Sequence, residues 1–292
     1  MLPISGWIEE KKLSQAELPI GVFDSGVGGL TVVRAIRALM PGEDLLYLGD
    51  TARVPYGTRS PATVDRYAQR VAGHLTRRGI KALVVACNTA TTYALDGLIE
   101  AGRRRGIPVV GVITPGVQAA ISVCREHVGV IGTEGTIAGG EYARQLAQLA
   151  PNLKVSSVPC PLFVALAEEG WTDGEVSRLV AERYLAPLKD GPDTLILGCT
   201  HYPLLTDAIA AALPGVALVD SANSTARTLS ETLRAAGLLS NSSVGETHFL
   251  VTDNRQRFIE VGTRFFGEPP HPTELVDLDD LDQAAWSAKV NE

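Results

Sequence analysis

Much is scarce in this 292-residue chain, and each scarcity closes off a class of function. No apolar run approaches the roughly 18 residues that cross a bilayer, so no membrane partner is expected. Residues 1–18 carry Glu9, Glu10, Lys11 and Lys12 and no continuous apolar core, so they do not read as a secretory signal. Four cysteines in a chain of this length make no disulfide framework, and a cytoplasmic location with reduced thiols is the expectation. No C-x-x-C or H-x-x-x-H spacing occurs. A zinc site from Cys87, Cys199 and His201, or a redox pair of the two thiols, therefore has no spacing behind it. Only six lysines are present, at 11, 12, 81, 154, 189 and 289. None lies just beyond the carboxyl end of a strand, so the Schiff-base lysine of a pyridoxal phosphate enzyme is lacking. No cofactor and no metal are expected. Basic charge is outweighed: the net charge is −7, and Arg103-Arg104-Arg105 is the one dense basic run. That run reads as a solvated helix C-terminus, where cations suit the dipole, and no nucleic-acid partner is expected.

What is present is a core and a repeated pattern. Hydrophobic residues make up 45% and charged residues 20%, the balance of a globular protein. Short apolar runs alternate with amphipathic stretches along the chain, which predicts an α/β fold with mostly parallel sheets and helices on their faces. The run Thr194–Leu197 ends in Gly198-Cys199-Thr200-His201-Tyr202-Pro203, and Pro203 stands where a helix can begin. Lys81–Val85 runs likewise into Ala86-Cys87-Asn88-Thr89-Ala90-Thr91. Both cysteines are thus placed at the carboxyl ends of buried strands, where open α/β sheets bind ligands. Asp24, Asp50 and Asp220 close other strands in the same way. A single helix is expected over about Thr136–Ala150, and Pro115-Gly116 reads as a crossing between halves. The stretch 1–18 reads as a polar extension outside the fold. The acidic, proline-bearing stretch 268–292 reads as a loosely ordered tail.

Asp24-Ser25-Gly26-Val27-Gly28-Gly29 is neither G-x-G-x-x-G nor a P-loop, and its first aspartate would repel a phosphate. Its glycines suit close backbone approach to a small ligand with a carboxylate. Most free cysteines are small buried hydrophobes, and Cys124 and Cys160 are read that way. Cys87 and Cys199 differ, because each precedes hydrogen-bonding side chains and an expected helix N-terminus, a setting that lowers a thiol pKa. His201 is placed to tune a thiol or to protonate a carboxylate.

Four motifs in this order resemble the glutamate racemases of the aspartate/glutamate racemase family: Asp24-Ser25 with its glycines, Pro55-Tyr56-Gly57, the Cys87 segment and the Cys199 segment. The similarity runs from about Ile20 to Phe266. It implies two similar α/β domains around a cleft, with 19–113 plus 224–267 forming the first and 114–223 the second. It implies cofactor-independent interconversion of L- and D-glutamate, supplying D-glutamate for peptidoglycan. Cys87 and Cys199 would be the two acid/base thiols, with Asp24 and His201 assisting and Glu168 acidic beside them. Asp24, Ser25, Tyr56, Gly57, Asn88, Thr89, Thr200 and His201 would bind substrate; Pro55 belongs to its motif without chemistry of its own. Two-base inversion at Cα suits one thiolate and one thiol contributed by two halves. Three alternatives stay open: an aspartate racemase, another two-cysteine isomerase, or a non-catalytic regulatory or binding protein on the same fold. The helical faces permit a homodimer without specifying its surface.

Overall fold

The computed structural model describes residues 14–278 except position 190. In the first part of the chain, β1 (Ile20–Asp24), β2 (Leu45–Gly49), β3 (Ala82–Val85) and β4 (Val109–Gly111) are strands. They are linked by α1 (Leu30–Leu39), α2 (Pro61–Arg77) and α3 (Asn88–Arg105). The middle part runs α4 (Ile113–Val123), β5 (His127–Gly132), α5 (Glu134–Gly139), α6 (Glu141–Leu149) and β6 (Lys154–Pro159). It continues with α7 (Leu162–Glu169), α8 (Gly174–Leu185), β7 (Thr194–Gly198), α9 (Thr206–Ala212) and β8 (Ala217–Asp220). The last part holds α10 (Ala222–Ala235), β9 (Thr247–Val251), α11 (Arg255–Phe266) and β10 (Thr273–Leu275). Among these residues no helix is long and apolar enough to cross a membrane.

The strands form two sheets, ordered β10-β9-β2-β1-β3-β4 and β6-β5-β7-β8. Every pairing is parallel. Strands β1, β2, β3 and β7 are buried along their whole length. That is why they read as unbroken apolar runs rather than alternating ones. Each fully buried Leu, Ile or Val there is worth roughly 1.5–3 kcal/mol of hydrophobic stabilisation. Register brings the site residues level: Asp24 pairs with Gly49, Phe23 with Val85, and Gly132 with Gly198. Helix α10 packs Ala226, Leu229 and Leu233 into the core of the first sheet. Helix α4 packs Ile113, Val117 and Ala120 into that of the second.

The Pro115-Gly116 pair lies in the first turn of α4, where proline gives up no hydrogen bond the helix would otherwise make. Three expectations need correction. The helix expected over Thr136–Ala150 is two, because Gly140 takes a left-handed φ of 67° between α5 and α6. The stretch 268–292 is not wholly a loose tail. Thr273–Leu275 adds a strand to β9, and Val276 and Leu278 are buried in the core. Nor does 1–18 lie wholly outside the fold: the buried Lys81 Nζ donates to Ala16 O at 2.6 Å and pairs with Glu43. Positions 1–13 and 279–292 lie outside the described residues.

Candidate active site

The carboxyl ends of both sheets border one pocket. Asp24, Ser25, Cys87, Asn88 and Thr89 reach it from β1 and β3 of the first sheet. Pro55, Tyr56 and Gly57 come from the loop after β2, and Cys199, Thr200 and His201 from the end of β7. Of the catalytic and substrate-binding residues expected from the sequence, only Glu168 lies off the lining, behind His201. Both thiols are free, as are Cys124 and Cys160. Among the described residues, no three His, Cys, Asp or Glu side chains converge as metal ligands.

The two thiols stand in different surroundings. Cys87 is the N-cap of α3: its Sγ accepts the Ala90 N–H at 3.4 Å and donates to Ser25 Oγ at 3.8 Å. The helix start does not make it acidic. Burial, joined by the Asp24 carboxylate, pushes the Cys87 thiol up to about 12, against the smaller pull of Ala90 and Ser25. Asp24 is itself raised by burial, over the opposing attraction of His201 and of backbone N–H groups; its Oδ2 accepts the Gly26 N–H at 3.0 Å. Cys87 is therefore held as a thiol, which corrects the expectation of a lowered pKa.

Cys199 has no α-helix start behind it. Pro203 sits in a short 3-10 turn, Tyr202–Leu205, and α9 begins only at Thr206. Its neighbour in charge is His201, whose Nδ1 lies 3.8 Å from Cys199 Sγ and whose Nε2 lies 2.9 Å from Glu168 Oε1. Burial would lower the His201 pKa, but Cys199 and Glu168 together outweigh it and raise it to about 10. Glu168 is pulled the other way: burial raises it, and His201 and Arg257 more than compensate, so it stays ionised. The ring is thus an imidazolium between a carboxylate and a sulfur. Phe265 of α11 holds it edge-on at 5.0 Å between centroids.

Four further lining residues were not marked as site residues in the sequence. Thr133 caps α5, and its hydroxyl forms a triangle with those of Thr89 and Thr136, with sides of 2.9, 3.0 and 3.0 Å. Thr133 and Thr136 line the pocket with Val54 and Val164. The signal for Thr133 was there, since Gly132-Thr133 ends β5 as Gly198-Cys199 ends β7. Asp50, read as a strand-end residue, lies off the pocket and accepts Tyr56 O–H at 2.7 Å, Arg53 at 2.9 Å and Thr252 O–H at 2.9 Å. Asp220 serves its own turn by accepting the Ala222 N–H.

The sequence pattern of the Asp/Glu/Hydantoin racemase family matches residues 30–229. A glutamate racemase of Geobacter metallireducens is 54% identical over 252 residues, covering 85% of this chain and 92% of that protein. One from Thermus thermophilus is 47% identical over 269 residues, covering 92% of this chain and 100% of that protein. The crystal structure of glutamate racemase from Francisella tularensis in complex with D-glutamate superposes with a TM-score of 0.87 at 40% identity. It covers 91% of this chain and 100% of that one.

Proposed function

Because the chain belongs to the Asp/Glu/Hydantoin racemase family, we infer that it interconverts L- and D-glutamate by proton transfer at Cα between Cys87 and Cys199. The observation that carries this reading is one pocket bordered by a thiol from each sheet, in two unlike protonation environments. A base must be ionised and its partner acid protonated in each direction. In the L-to-D direction, Cys199 as thiolate takes the Cα proton and Cys87 as thiol delivers its proton to the opposite face. The electron pair of the broken C–H bond forms the new one. The enzyme ends with Cys199 protonated and Cys87 ionised, ready for the reverse reaction. His201, kept charged by Glu168, offers positive charge beside Cys199 Sγ. Asp24 and Ser25 face Cys87 and assist it on that side.

The carbanion that forms between the two transfers carries negative charge toward its carboxylate. Oriented donors in a buried site stabilise it without a cofactor. Ser25, Asn88, Thr89 and Thr200 supply them, and the Tyr56–Gly57 loop closes the side of the pocket. The halves divide near Thr114 and Ser224. The product D-glutamate serves peptidoglycan synthesis in the cytoplasm.

The experiment follows optical activity by circular dichroism, starting from L-glutamate, D-glutamate and both enantiomers of aspartate at saturating concentration. Glutamate should lose its signal from either side, and aspartate far more slowly. Faster turnover of aspartate would replace the substrate assignment. Binding of glutamate with no change in signal over days would replace the enzyme with a binding protein.

A further inference from the structure

Tyr142 is buried in α6, belongs to neither cysteine motif and does not line the pocket. Its ring lies against Gly198, the residue before Cys199. A Cβ on Gly198 would stand 3.0 Å from Tyr142 Cε2, so the ring packs closely there, and 2.6 Å from Ile131 O, the backbone contact that requires glycine. Its hydroxyl crosses to the other sheet's helix α3 and donates to Asn88 Oδ1 at 2.7 Å. Asn88 is the residue after Cys87. One side chain therefore packs on the backbone beside one thiol and holds the side chain beside the other.

The chemistry of that bond decides what Asn88 can offer. Asn88 is 3% exposed and borders the pocket, and its Nδ2 has no hydrogen-bond partner among the described residues. A neutral phenol has one proton to give, and burial keeps Tyr142 neutral by raising its pKa far above the ordinary value. With that proton on Oδ1, the amide cannot turn over without setting Nδ2 against the hydroxyl and leaving the O–H without an acceptor. A buried donor left unmade costs about 1–3 kcal/mol. The nitrogen end, with two N–H donors and no acceptor, is what remains for a ligand. Such an end suits a carboxylate and does not suit an ammonium group.

We propose that Tyr142 is a positioning residue for the racemisation: its hydrogen bond to Asn88 Oδ1 commits the Asn88 amide to presenting N–H donors to a substrate carboxylate. This rests on the glutamate racemase reading above. Nothing in Tyr142 itself touches the substrate; it acts through Asn88, and it ties the two cysteine-bearing strand ends to one another.

The test is a double-mutant cycle read in KM, kcat, melting temperature and calorimetric binding of D-glutamate. In Tyr142→Phe the ring stays and the hydroxyl goes, so the amide loses its lock. KM for both enantiomers should rise about tenfold, the loss of one well-placed bond to a charged group, while kcat changes less than about threefold. Asn88→Ala should raise KM by at least as much, and the double variant should be no worse than Asn88→Ala alone. A purely structural tyrosine would lower the melting temperature, leave KM unchanged and add its effect to that of Asn88→Ala; that result overturns the proposal. If Tyr142→Phe does not fold, Asn88→Asp decides. It keeps an acceptor for Tyr142 but turns a carboxylate oxygen to the pocket, so weakened D-glutamate binding supports the proposal and parental binding overturns it. The unaltered protein's turnover is measured separately. Its absence would sink the racemase reading, while the binding cycle still decides the role of Tyr142.

Discussion

Replacing Glu168 by glutamine keeps the shape of the His201 partner and removes its charge. In the parent, His201 titrates at about 10 because Cys199 and Glu168 outweigh the burial that would lower it. Glu168 Oε1 stands 2.9 Å from Nε2, and removing an opposite charge at that distance moves a pKa by about one to three pH units, or roughly 1.4–4 kcal/mol. The shift is downward, since the ring loses a reason to hold its proton. In the proposed mechanism, activity on L-glutamate needs His201 charged beside Cys199, so the alkaline limb of kcat/KM should move down by that amount. Substrate ionisation is common to both enzymes and cancels in the ratio of their profiles. A folded pKa of about 10 against an ordinary 6.5 stabilises the protein fully below 6.5 and loses that stabilisation as pH rises from 6.5 through 10. The parent's melting temperature should therefore fall across that window, and that of Glu168→Gln should fall less. An alkaline limb that stays in place in a folded Glu168→Gln enzyme would refute the role given to the His201–Glu168 pair.

Cys87→Ser and Cys199→Ser should each abolish racemisation yet still eliminate from one enantiomer of a glutamate analogue with a leaving group on Cβ. Cys199→Ser should act on the D form and Cys87→Ser on the L form; a shared preference would show that the thiols do not serve opposed faces. In heavy water, product should carry deuterium from the first turnovers while recovered substrate stays unlabelled; equal early labelling of both pools by mass spectrometry would point to one shared base. Gly28→Ala would set a Cβ against Thr200 Oγ1 and His201 Nδ1, so turnover should fall by at least about a hundredfold and stability by roughly 1–3 kcal/mol in denaturant melts. Asp50→Ala removes the acceptor of Tyr56 and the charge partner of Arg53, and denaturant melts should show a loss of about 3–5 kcal/mol. A loss under about 1 kcal/mol there would mean that Asp50 does not hold the loop.

The parts legible in the sequence are those that depend on local pattern. Buried parallel strands are apolar runs, so β1, β3 and β7 could be read together with the polar residues at their carboxyl ends, Asp24, Cys87 and Cys199. Arg105 followed by Gly106 reads as a helix end, and the left-handed φ of 67° at Gly106 is where α3 stops. What stayed hidden is held by partners far along the chain or by backbone atoms. Thr273–Leu275 is too short for periodicity, and only its pairing with β9 makes it a strand. Ala16 takes part through its carbonyl, which composition cannot see. Tyr142 looks like any core aromatic of an amphipathic helix until its hydroxyl is found 54 positions away on Asn88.

The two cysteine segments show where such reading stops for chemistry. Their local pattern is the same: a buried strand, a small residue, a cysteine, then hydrogen-bonding residues. From that pattern alone both thiols should be alike, yet racemisation requires them to differ at any instant by one proton. The difference comes from neighbours that the pattern does not contain. Asp24 reaches Cys87 from the adjacent strand β1 and disfavours a second negative charge. Glu168, 33 positions from His201 and on α7, keeps that ring charged beside Cys199. Burial then magnifies both effects, because charges in a water-poor site are screened less. A symmetric pair of strand ends is in this way given opposite electrostatic surroundings by two carboxylates, one facing its thiol directly and one acting through an imidazolium.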